Sequence, residues 1–121
     1  MATLSDFGSL LLASAKQTHI FHLQTTSFAE HNALGSYYDN IEDLYDSFAE
    51  SVQGRYGRIT GYTNYELQDW ISTEDTIAYF QELCATVQTQ RLELPQDSYI
   101  QNQIDEIVQL LYATKYKLTL K

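Results

Sequence analysis

Apolar residues recur at helical spacing in four separate stretches of this chain, and that recurrence leaves little choice of fold class. The first stretch, 4–24, carries Leu4, Phe7, Leu10, Leu11, Ala15 and Thr18 on one stripe. The second starts at Ser27, which forms a capping-box pattern with Glu30 three residues on. It runs to about Gln53, where Gly54 and Gly57 are expected to stop it, and its stripe is Leu34, Tyr37, Tyr38, Ile41, Tyr45, Phe48 and Val52. The third is capped by Ser72 or Thr73, reaches about Arg91, and carries Ile77, Phe80, Leu83, Cys84 and Val87. Pro95 separates it from a fourth, which begins near Asp97 and carries Ile100, Ile104, Ile107, Val108 and Leu111. The closing YKLTLK alternates apolar and polar residues and is expected to fray or extend the last helix. Residues 54–71 form a Gly- and Tyr-rich connector with room for a short helix over Tyr65–Trp70. Four amphipathic helices with the longest connection in the middle predict an all-α, ferritin-like four-helix bundle. A crossover joins helices 2 and 3, in a single domain over 1–121.

A chain of 121 residues is long enough to bury one core. Its net charge of −9 and its scattered Lys and Arg argue against DNA as a partner, because the phosphate backbone attracts basic surfaces. Lys115, Lys117 and Lys121 are a loose cluster placed to complement the dipole of the last helix. No apolar run approaches the roughly 20 residues that span a bilayer, so no membrane contact is expected. The start has no signal-peptide pattern, and one cysteine makes no internal disulfide; both point to the cytoplasm. Cys84 reads as a small core residue. The ten tyrosines suit half-buried packing positions.

All three histidines, His19, His22 and His31, fall within residues 19–31. On an ideal helix with His31 at 0°, Glu42 falls at about 20°, Gly35 at about 40°, Asp46 at about 60°, Asp39 at about 80° and Glu50 at about 100°. The carboxylates thus form an acidic band beside the apolar stripe, headed by a histidine. A plain solvated face has the same appearance. On the first helix His22 falls within the apolar stripe and His19 on its flank. Imidazoles together with carboxylates suit Fe, Mn or Zn.

The spacing of these residues resembles the Dps family of small ferritin-like proteins. Its pattern is a His, a second His twelve residues on, an Asp fifteen further and a Glu four further; His19, His31, Asp46 and Glu50 occupy those positions. Phe28 matches the aromatic residue before the second His, and Asp46-Ser-Phe-Ala-Glu50 resembles the family's D-x-x-A-E. The chain is also similar to small ferritin-like proteins encoded by bacteriophages, including phages of cyanobacteria. The Dps resemblance implies Fe(II) bound at an intersubunit site by His19, His31, Asp46 and Glu50, with Zn or Mn as alternatives. It further implies oxidation by peroxide or oxygen, and iron storage or detoxification in a cage of twelve subunits. Asp39, Glu42, Asp43 and His22 would be additional ligands or cation relays. Three departures stand beside the match: Gly35 where the family has an acidic ligand, Ser51 where it has Arg, and no basic tail for DNA.

Helix geometry adds a consequence of its own. His31 and Asp46 are fifteen residues apart on one helix, hence roughly 22 Å apart, and cannot hold one ion within a chain. Two copies packed antiparallel through this helix, with the dyad near residues 38–41, would bring them together twice per homodimer. Two rival readings are open. One is a non-enzymatic, phage-encoded helical bundle with a structural or interaction role and a degenerate or absent metal site. The other is a site inside one bundle, built from His22 and Glu30 with Glu82 or Glu106; no ExxH pair supports it.

Overall fold

A computed structural model describes residues 2–121 as four helices. They are α1 (Leu4–Gln24), α2 (Phe28–Tyr56), α3 (Thr73–Gln90) and α4 (Ser98–Lys117), with a 3₁₀ turn at Arg91–Glu93. The described residues contain no strand, and no helix is long and apolar enough to cross a membrane.

Local signals place the helix starts. Thr3 and Asp6 form a complete capping box on α1, with bonds of 3.1 and 2.9 Å. Ser72 caps α3 through the Asp75 amide. Ser27 accepts from the Glu30 amide, but the expected return bond does not form, because the Glu30 carboxylate is used elsewhere. α2 also outruns its expected end. It passes through Gly54 to Tyr56 and stops at Gly57, whose φ of 97° is open to glycine at little cost. Gly54 alone does not end the helix; a residue must leave helical φ, and Gly57 is the one that does.

α1 packs on α2, α2 on α4, and α3 on α4. The stripes meet in one core that includes Phe7, Leu11, Leu34, Ile41, Phe48, Phe80, Ile104 and Leu111. Phe7 and Phe48 pack with ring centroids 5.1 Å apart, and Tyr37 meets Phe80 edge-on at 4.9 Å. Burying each such side chain contributes about 1.5–3 kcal/mol. Cys84 is a free, buried core residue, and burial pushes its thiol pKa up. α4 ends at Lys117, and the turn after it buries Leu118 rather than extending the helix.

The connector follows α1. Thr63 N–H donates to Ser9 Oγ, Gln68 pairs with Gln17, and Trp70 N–H donates to Gln24. It therefore climbs from near the start of α1 to near its end. No helix forms over Tyr65–Trp70, contrary to the sequence expectation. The Gln17 and Gln24 side chains take the peptide groups that a helix would have paired internally.

Candidate functional site

α1 ends and α2 begins at the same end of the bundle with three residues between them, so the two helices carry all three histidines to one outer seam. His22 and His31 stack with ring centroids 3.8 Å apart and planes 15° from parallel. His22 Nδ1 lies 2.6 Å from the His31 carbonyl oxygen, and His31 Nδ1 lies 2.8 Å from the His22 carbonyl oxygen. A carbonyl can only accept, so both Nδ1 atoms carry hydrogen, and in the neutral form of each ring the lone pair is on Nε2. His19 is exposed and stacks on Tyr38 at 4.2 Å; its ring makes no hydrogen bond within the described residues. Phe28 lies 6.2 Å from the His31 ring.

His22 is not in the core, although it falls within the apolar stripe. It is half-buried and lies over Gly35 of α2. A Cβ on Gly35 would sit 3.0 Å from His22 Cε1 and 3.2 Å from Nδ1. The missing side chain is the space that the imidazole fills, which explains on physical grounds why this position holds no acid.

Asp39, Glu42, Asp43, Asp46 and Glu50 are all exposed along α2. None is ion-paired; the ion pairs among the described residues are Arg55–Asp97 and Arg91–Asp105. α2 is unbroken from His31 to Asp46, so the separation of roughly 22 Å stands. Within a single chain, no three or more His, Cys, Asp or Glu side chains among the described residues come together to hold a metal.

The single-bundle alternative meets a specific obstacle. Glu30 is 1% exposed, and its Oε1 accepts from Thr25 Oγ1 at 3.0 Å and Thr73 Oγ1 at 2.6 Å. Its Oε2 accepts from Trp70 Nε1 at 2.8 Å. The carboxylate is committed to joining the α1–α2 turn, the connector and the start of α3. Glu82 and Glu106 point to solvent. Glu30 therefore belongs to a structural junction and not to a site with His22. One sequence signal for this existed: on the α2 wheel Glu30 falls at about 260°, inside the apolar arc. An acid in that arc must find donors, because burying it unpaired costs several kcal/mol.

Residues 22–118 match a family model described as a family of unknown function, DUF5856. The chain belongs to that family. The matched span includes His22, Glu30, His31 and Trp70 and begins after His19. A relative from Enterobacteria phage T4, the uncharacterized 14.6 kDa protein of the mobD-ri intergenic region, is 30% identical over 116 residues. That alignment covers 96% of this chain and 88% of the phage protein. No solved structure matches the chain.

Proposed function

We propose that the α1–α2 seam is a transition-metal site completed by a second copy of the chain. His19 and His31 of one copy meet Asp46 and Glu50 of the other, with Asp39, Glu42 and His22 as additional ligands or cation relays. The observation that carries this reading is the 2.8 Å bond of His31 Nδ1 to a backbone carbonyl. It leaves Nε2 as the nitrogen to ligate, the arrangement that ligating histidines usually have. The unpaired acids of α2 supply the hard donors that an antiparallel partner would present. The donor set of imidazole and carboxylate suits Fe(II), Mn(II) or Zn(II). Resemblance to the Dps family adds Fe(II) as substrate, oxidised by peroxide or oxygen and stored or detoxified. In a phage-encoded relative of such proteins, the site of action would be the cytosol of the bacterial host.

A second reading has its own observation. The reciprocal His22–His31 pair ties the α1–α2 turn through two hydrogen bonds of its own, as a structural or interaction module would need. Metal analysis of the purified protein, with its mass measured in solution, separates the two. The metal reading expects a dimer or larger assembly that binds two ions per dimer. A monomer of about 14 kDa without bound metal would reject it.

A further inference from the structure

Among the described residues, the connector between Arg58 and Ile71 makes no backbone-to-backbone hydrogen bond. Helix side chains take its peptide groups instead. Gln53 Oε1 accepts from Ile59 N–H, Ser9 Oγ from Thr63 N–H, and Gln24 Oε1 from Trp70 N–H. Gln17 binds Gln68 through both atoms of its amide. The segment is mostly exposed, and its Tyr62–Leu67 stretch lines an open pocket of about 370 Å³ together with Leu12 and Lys16 of α1. With Ile59 as its one buried apolar residue and with side chains rather than a backbone ladder holding its peptide groups, the segment has the marks of a unit that opens locally. The segment is a strap laid along α1.

At its upper end the strap is fastened by Trp70, whose Nε1–H donates to the buried Glu30 carboxylate. Glu30 immediately precedes His31 in the first turn of α2. A shift of that turn moves His31 against His22, where bonds of 2.6 and 2.8 Å and a ring separation of 3.8 Å leave little slack. The same turn thus carries the strap's fastener on its inner side and an imidazole on its outer side.

We propose that Trp70 couples the strap to the histidine site, so that metal held at His31 and closure of the strap stabilise each other through Glu30. The inference rests on the metal reading given above. The two states are a closed strap, with Trp70 on Glu30, and an open strap, with that carboxylate oxygen turned to water. By linkage, whatever the closed strap adds to metal affinity, metal adds to strap closure.

Trp70 is the only tryptophan, so its emission reports the fastener alone. The experiment titrates the full-length protein with Zn(II) by calorimetry. It follows Trp70 emission and amide hydrogen exchange of residues 58–71 in parallel. The expected result is a shift in emission and slower exchange of the strap at the same Zn(II) stoichiometry. Trp70→Phe keeps the ring and loses the N–H, and should weaken Zn(II) binding about five-fold or more. Glu30→Gln serves as a second variant should Trp70→Phe unfold by circular dichroism. It offers one acceptor oxygen to the three donors Thr25, Thr73 and Trp70, so the fastener weakens and the strap should loosen in the same direction. Zn(II) binding with unchanged emission, unchanged strap exchange and unaltered affinity in the variants would overturn the coupling and leave the metal reading standing. Absence of any Zn(II) binding would overturn both.

Discussion

Each imidazole of the His22–His31 pair donates its Nδ1–H to the backbone carbonyl of the other residue, which closes a ring across the α1–α2 turn. The two bonds contribute on the order of 1 kcal/mol each. They also set the tautomer of both rings and leave each Nε2 available. One arrangement thus serves the stability of the turn and the chemistry of the seam.

The fit of His22 over Gly35 predicts a reversal of sign. In the native background, Gly35→Ala forces its Cβ against a ring that two hydrogen bonds hold in place. Overpacking should outweigh the gain in helix propensity and cost about 1 kcal/mol. With His22→Ala already present the ring is gone, and the same change should stabilise by up to about 1 kcal/mol. Urea unfolding of the four proteins measures this cycle. An equal effect of Gly35→Ala in both backgrounds would remove the close approach as the reason for the glycine.

The shared-site geometry predicts complementation between broken chains. His31→Ala and Asp46→Ala should each abolish strong Fe(II) or Zn(II) binding in a homodimer, because each removes a ligand from both sites. A heterodimer of the two variants has one site with both lesions and one with neither. Titration of differently tagged, purified heterodimers should recover about half of the normal metal stoichiometry. No recovery in a properly formed heterodimer would reject the intersubunit arrangement. Unchanged binding in the single variants would reject these residues as ligands and favour the structural reading.

Tyr37 makes stability sensitive to alkali. Its hydroxyl is bonded to Ser14 Oγ at 2.8 Å inside the core, and burial pushes its pKa far above the ordinary phenol value, with the Ser14 bond offsetting only part of the rise. The folded state therefore keeps the proton that the unfolded chain releases above about pH 10. The stability that this phenol contributes is fully present below that pH and falls as pH rises beyond it, by up to about 1.4 kcal/mol per pH unit. Tyr45 and Tyr79, also raised by burial, act in the same direction. Urea midpoints between pH 8 and 11 should fall less steeply in Tyr37→Phe than in the native protein. Parallel curves would show that Tyr37 is not the group responsible.

Most of the fold was legible in the sequence, because it rests on local rules. The apolar period, the capping residues Ser27 and Ser72, and the breaks near Gly57 and Pro95 act within a few residues of themselves, and they delimit helices close to those observed. The separation of His31 from Asp46 is likewise a property of one helix and follows from its rise per residue. What only the tertiary structure decided involves groups far apart in the chain. Gly35 has its meaning from the His22 ring across the seam. The path of the connector depends on where the amides of Gln17 and Gln24 stand, and Tyr65–Trp70 remains non-helical because those amides offer its backbone outside partners. Glu30 carries a cap pattern in sequence, yet its carboxylate turns inward, where Thr25, Thr73 and Trp70 converge as donors. A short sequence window sees the propensity of a residue but not which distant donor or ring will occupy the space beside it, and at the α1–α2 seam that occupancy sets the chemistry.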